Sequence, residues 1–158
     1  MITFTSGDLL QANQVYIAHG VAEGNQEGLG TGLALKITQK WPNVQVAFKR
    51  YVRSGRFRGG DIWVCPPADE RSGIIYLATQ PDMYQATLPY LRKAIRRLVK
   101  WAERESVKDV GLPKIGAGLG KLSWGEEVKP LFEELLTDAQ CLFVVYEDFT
   151  WSTRDQHD

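Results

Sequence analysis

Cysteine and histidine are both scarce in this chain of 158 residues, with two of each. Neither type forms a C-x-x-C pair or a Cys/His cluster, so the sequence suggests no zinc site and no dithiol redox centre. Cys65 and Cys141 sit in apolar runs and read as buried core thiols. No run approaches the roughly 18 consecutive apolar residues of a membrane span. Met1-Ile2-Thr3-Phe4 lacks the basic-then-apolar pattern of a signal peptide, so a reduced, cytoplasmic compartment is the expectation. Net charge is missing too. Nineteen Lys and Arg balance nineteen Asp and Glu, so overall charge argues neither for nor against a polyanion partner.

At 44% hydrophobic and 24% charged, the composition is that of a soluble globular domain. The length fits one domain, taken as residues 1–149, followed by a polar tail at 150–158. Ile2–Thr5 and Val15–Ala18 read as strands, with His19 ending the second as a structural residue. Leu33, Ile37 and Trp41 recur every four residues and mark a helix that ends near Trp41-Pro42. A second helix follows over Val44–Arg53, then a basic turn, Arg53–Gly60, that reads as solvated. Asp61–Cys65 and Gly73–Thr79 are strands joined closely enough for a hairpin. Thr87 caps a helix running to about Glu105, with Leu88, Leu91, Ile95, Leu98 and Ala102 on its apolar stripe. Arg92, Lys93, Arg96, Arg97, Lys100 and Arg104 cover the rest of its surface. A charged outer face is the common explanation of such a row, and nucleic-acid docking the secondary one. Asp109–Leu112, a helix over Val128–Leu136 and the strand Cys141–Tyr146 complete the chain. Six strands and four helices with helical crossovers predict an α/β domain, three layers of α/β/α on a mixed six-stranded sheet.

Two glycine-rich stretches stand out. Gly28-Leu29-Gly30-Thr31-Gly32 runs into the first helix, and Gly116-Ala117-Gly118-Leu119-Gly120 follows the strand at Asp109–Leu112. Without bulky side chains, such loops can turn several N–H groups toward one anion, and the helix they open adds its positive end. Ser123 and Glu126 have the spacing of a capping box for the helix after the second loop. Two glycine loops, each opening a helix after a strand, suit a ligand with two phosphates. The second is no P-loop of the G-x-x-x-x-G-K-[ST] type, because Leu122 follows Lys121.

With Gly7-Asp8-Leu9 after the first strand, Gly28–Ala34 before the first helix and Pro113–Gly120 after the fifth strand, the chain resembles the macrodomain family of ADP-ribose-binding modules. The resemblance runs from Ile2 to about Tyr146. Leu122, Trp124 and the following helix are most similar to the branch holding the terminal ADP-ribose glycohydrolases and the antitoxins that reverse DNA ADP-ribosylation. The resemblance implies that Asp8 accepts a hydrogen bond from the adenine amino group, with Leu9 beside it. It implies that the backbone of Gly30, Thr31 and Gly32 lines the distal ribose and its phosphate. Ile115 and the loop Gly116, Ala117, Gly118, Leu119 and Gly120 would hold the diphosphate. Tyr146 either borders the adenine or is an ordinary core-edge tyrosine.

The same resemblance marks three departures. Gln80 stands where the branch has a lysine that attacks the ribose, and no lysine lies between Lys49 and Lys93. Gly120 stands where some members carry an aspartate, and Ala22 where the family has an asparagine, with Asn25 a possible substitute. An amide at Gln80 is neither a nucleophile nor a general base near neutral pH, but it can bond a ribose hydroxyl or orient a water. The expectation is an ADP-ribose-binding domain that hydrolyses an ADP-ribosyl derivative without the lysine, or a non-catalytic reader. Candidate substrates are ADP-ribosylated protein, ADP-ribosylated nucleic acid and ADP-ribose 1″-phosphate. The catalytic residues stay unassigned, although Asp82 and Glu27 lie on the same side. No cofactor, metal or membrane is implied, and a monomer is expected.

Overall fold

A continuous apolar run makes the centre of the sheet. Gly73-Ile-Ile-Tyr-Leu-Ala-Thr-Gln80 is buried over seven of its eight residues, as expected of a strand covered on both faces. In the computed structural model, which describes residues 1–24, 32–82, 84–117 and 120–148, ten main elements follow in order. They are β1 (Ile2–Ser6), β2 (Tyr16–Ala22), α1 (Gly32–Lys40), α2 (Pro42–Arg53), β3 (Ile62–Cys65), β4 (Gly73–Gln80), α3 (Leu88–Arg104), β5 (Asp109–Leu112), α4 (Lys129–Leu136) and β6 (Leu142–Asp148). The strands pair in the order β1-β6-β5-β2-β4-β3. All neighbours are parallel except β3, which runs antiparallel to β4 as the second arm of the expected hairpin.

Strand alternation divides the apolar residues between two cores. Ala18, Ile75 and Leu77 face Leu91, Leu98 and Phe132 of α3 and α4. Ile17, Ile74 and Tyr76 face Val44, Phe48 and Val52 of α2 together with Ile37 of α1. Pro42 separates α1 from α2, since it has no N–H to give the preceding turn and disfavours helical backbone at Trp41. On α3 the buried residues are Leu91, Ala94, Ile95, Leu98 and Ala102, while Thr87 Oγ1 accepts from the Tyr90 N–H at 3.3 Å as its cap.

Three expectations change. His19 does not end β2. The strand continues in parallel register with β4 as far as Ala22 opposite Gln80, so His19 is an interior, fully covered residue. The basic turn after α2 is not wholly solvated, because Phe57 is completely buried with its ring edge-on to Phe48 at 5.0 Å. The capping box also closes differently. Ser123 Oγ accepts from the Glu126 N–H at 3.2 Å, but the carboxylate that returns to the Ser123 N–H, at 2.9 Å, belongs to Glu127. The cause is a wide first turn. Trp124–Val128 is a π turn in which the Val128 N–H reaches back five residues to Ser123 O at 3.0 Å. One added residue per turn moves the returning carboxylate one place along the chain.

Candidate functional site

Five parallel strands end along one edge of the sheet, and the connections that leave them diverge in the middle. β2 and β5 are neighbours. The chain leaving β2 goes to α1 on one face, whereas the chain leaving β5 goes to α4 on the other. A crevice opens where such crossovers part, beyond the carboxyl ends of the strands. Both glycine loops start there. Of the first, Gly32 opens α1, while Asn25, Glu27, Gly28, Gly30 and Thr31 lie outside the described residues.

In the second loop the described part is a sequence of tight turns. Gly116 has a left-handed φ of 84°, which glycine adopts without strain. Its carbonyl accepts from the Leu122 N–H at 2.8 Å, closing the loop on itself. The Ala117 and Gly120 amides bond to Lys114 O and Ala117 O at 3.1 and 3.3 Å. Ile115 is 3% exposed, so its side chain belongs to the core and only its backbone lies on the loop. Gly118 and Leu119 lie outside the described residues.

At the β1/β6 end, Asp8 caps the short turn Leu9–Gln11, accepting from the Leu10 N–H at 3.0 Å. Leu9 is fully buried, which leaves only its backbone to the crevice. Tyr146 is a core-edge residue. Its hydroxyl donates to Gln14 Oε1 at 2.9 Å, and burial pushes its phenol up. The ring lies alongside Gly7, where an added Cβ would be 3.8 Å away, so Tyr146 supports the Gly7-Asp8 corner. Glu147 takes hydrogen bonds from Trp124 Nε1 at 2.9 Å and Lys129 Nζ at 3.0 Å, which together hold its carboxyl below the usual range. That group ties the exit of the glycine loop to β6.

At the β2/β4 end the three departures from the family pattern meet, since Ala22 pairs with Gln80. Gln80 Nε2 donates to Asp82 O at 2.9 Å, and Gln80 Oε1 lies 3.5 Å from where a Cβ on Gly120 would stand. That Cβ would also be 3.0 Å from Ala86 Cβ, while Gly120 O accepts from the Ala86 N–H at 3.0 Å. The floor beneath is tight and partly unsatisfied. A Cβ on Gly20 would come within 2.6 Å of Thr79 Oγ1 and 2.9 Å of Ile115 Cγ2. Thr79 Oγ1 and His19 Nε2 are buried without a hydrogen-bond partner among the described residues. Burial alone lowers the His19 pKa to about 3, so the ring is neutral and structural.

Glu23 was not among the sequence candidates. Its N–H donates to Gln80 O at 2.8 Å, and its carboxylate accepts from the Gly59 N–H at 2.6 Å and the Tyr90 hydroxyl at 3.2 Å. It pins the start of the first glycine loop to α3 and raises the Tyr90 pKa, adding to the effect of desolvation. Gly59 lets the Tyr90 ring approach, since a Cβ there would lie 2.3 Å from it. In sequence the Gly59-Gly60 doublet reads only as part of a turn, so nothing local announces the contact with Glu23. Among the described residues, no group of three or more His, Cys, Asp or Glu could hold a metal ion, and no helix is long and apolar enough to cross a membrane.

The Macro domain family model matches residues 18–130. The chain belongs to that family. Among individual macrodomain relatives, the ADP-ribose glycohydrolase OARD1 of Bos taurus is 27% identical over 147 residues, covering 92% of this chain and 90% of the relative. The DNA ADP-ribosyl glycohydrolase of Thermus aquaticus is 28% identical over 152 residues, covering 93% of this chain but 41% of the relative. The solved macrodomain of Thermus aquaticus DarG superposes with a TM-score of 0.82 at 28% identity, over 93% of this chain and 98% of that one. The mixed sheet with helices on both faces is therefore the macrodomain fold.

Proposed function

We propose that this macrodomain binds ADP-ribose across the crevice and cleaves an ADP-ribosyl linkage without a lysine nucleophile. Adenine lies at the Asp8 corner in this reading, the diphosphate spans the two glycine loops, and the distal ribose reaches Gln80 and Gly120. The observation that carries it is the divergence of two glycine loops from adjacent strands, with a carboxylate at one end and an amide at the other. The names of the relatives, both glycohydrolases acting on ADP-ribose linkages, support the substrate class. Gln80 bonds a ribose hydroxyl or orients a water, and barrier lowering comes from positioning and from the dipoles of the loops. The domain works as a cytoplasmic monomer. Calorimetry with ADP-ribose, ADP and AMP tests the binding, with ADP-ribose expected to bind most tightly. Equal affinities for all three would sink recognition of the distal ribose.

A non-catalytic reader is the second reading, favoured by the engagement of the Gln80 amide with Asp82 O and by the absence of a side chain at Gly120. Turnover assays on ADP-ribosylated protein, ADP-ribosylated DNA and ADP-ribose 1″-phosphate separate the two. Tight ADP-ribose binding with no product from any of the three decides for the reader.

A further inference from the structure

The α3 helix starts at the crevice. The Ala86 N–H donates to Gly120 O at 3.0 Å and the Thr87 N–H to Thr79 O at 3.1 Å, so the first turn of the helix sits over the carboxyl end of β4. From there α3 runs back toward the start of β5, away from the crevice. Its outer face carries a groove of about 380 Å³ lined by Pro89, Arg92, Lys93, Arg96, Arg97 and Lys100. Five of these six residues are cationic. Two have acidic partners: Arg92 pairs with Glu134 at 2.5 Å, and Arg97 pairs with Asp61. Lys93 and Lys100 have no ion pair among the described residues, and Arg96 makes no direct one although its charge helps to lower the Glu134 pKa. The chain as a whole is formally neutral, so this concentration of charge is local.

Dimensions and chemistry indicate what fits. The twelve residues from Pro89 to Lys100 are separated by eleven helical rises, about 16 Å. A nucleic-acid strand carries one negative charge per phosphate, so a strand laid along the row sets its phosphates against these cations. Arginine offers planar, bidentate donors suited to phosphate oxygens. Between Gln80 and the start of α3, the connecting loop presents Tyr84, a residue 68% exposed. Tyr84 precedes the Thr87 cap by three residues, which puts an exposed aromatic at the crevice end of α3, and exposed aromatics are the platforms on which unpaired bases stack.

We propose that the α3 groove is the track for the phosphate backbone of single-stranded nucleic acid, with Tyr84 stacking a base where the strand turns into the crevice. The macrodomain then acts on an ADP-ribosylated nucleotide within a strand held by α3. This rests on the ADP-ribose reading for what enters the crevice, whereas the track stands on its own charge and shape.

Fluorescence anisotropy with a short fluorescein-labelled oligodeoxythymidine tests the track, and calorimetry with free ADP-ribose on the same proteins tests the crevice. Wild type is expected to lose roughly 50-fold to 100-fold in oligonucleotide affinity between about 50 and 200 mM salt, as four to five phosphate contacts imply. The double variant Arg96→Glu and Lys100→Glu is expected to lose at least tenfold at low salt and to reduce the salt slope by about one to one and a half. Tyr84→Ala is expected to lose roughly fivefold or more, with little change in salt slope. Both variants should bind free ADP-ribose as wild type does, which also shows that they fold. The track is overturned if the double variant binds the oligonucleotide like wild type, or if a duplex binds as tightly as the single strand. Polyglutamate of matching charge competing with labelled DNA as well as unlabelled oligonucleotide would likewise overturn it, assigning the groove to something other than nucleic acid. Oligonucleotide binding without ADP-ribose binding refutes the crevice reading alone. ADP-ribose binding without oligonucleotide binding refutes the track alone.

Discussion

The two ends of the crevice are built differently. At the β1/β6 end Asp8, Tyr146 and Glu147 each have a partner within 3.0 Å, and each of those bonds holds a turn or a loop exit in place. At the β2/β4 end two buried polar atoms, His19 Nε2 and Thr79 Oγ1, have no partner among the described residues, and the packing around Gly20 leaves no room for a methyl group. An unsatisfied buried polar group destabilises a fold by about 1–3 kcal/mol. Polar burial without compensation therefore gathers beneath the same corner where Gln80 and Gly120 depart from the family pattern. The paired end is the one that the family resemblance makes the adenine corner. The unpaired end is where the chemistry is free to differ.

The largest expected effect tests that division directly. Asp8→Ala removes a carboxylate acceptor and should weaken ADP-ribose binding by about 1.5–3 kcal/mol, or roughly ten- to hundredfold. Gln80→Ala should stay within about threefold of wild type. Calorimetry on both variants checks this, and equal losses would erase the distinction between the two ends. The next effect is an acid response. The His19 pKa is depressed to about 3 in the fold from an ordinary 6.5. Its neutral form thus contributes fully above about pH 6.5, and that contribution is lost as pH falls toward 3, because the unfolded chain takes up the proton first. Between pH 6.5 and 5 this amounts to about 2 kcal/mol. Denaturant titrations should show that loss in wild type and a flatter response in His19→Leu.

Gly20→Ala should lower stability by about 1 kcal/mol or more, since the methyl meets Thr79 and Ile115 below contact distance. A thermal midpoint unchanged from wild type would show that this floor has slack. The smallest expected effect is that of Thr79→Val. This substitution removes an unpartnered hydroxyl at nearly constant shape, so stability should rise, by about 1 kcal/mol at the low end of the penalty given above. A marked loss would reveal a partner for that hydroxyl and bring the two ends closer in kind.

Much of the architecture could be read from local pattern, because apolar periodicity and helix punctuation act over a few residues. The β3–β4 hairpin, the Pro42 break and the Thr87 cap all follow from neighbours in sequence. The glycine after His19 reads locally as the end of a strand. What carries β2 onward is pairing with β4, nearly sixty positions away. Likewise the Glu23 carboxylate meets Gly59 and Tyr90 across separations of 36 and 67 residues, which no local motif encodes. The substitution of Glu127 for Glu126 in the capping box depends on a single widened turn, a difference of hydrogen-bond register within otherwise helical sequence. Asp8 and the second glycine loop were legible because a short polar residue after a strand and alternating glycines state their backbone requirements openly.

Gly59 and Gly60 touch neither the crevice nor the groove by name, yet both depend on them. Their bare backbone lies against the Tyr90 ring and the Lys93 stem, so a side chain at either position would have to push that ring or stem outward. From there Tyr90 reaches Glu23, and Lys93 joins Arg92 at the start of the cationic row. The doublet thus serves as a common bearing. Raising it would lift the anchor of the first glycine loop and the floor of the groove together, so any drift at these two positions would be felt at both places at once.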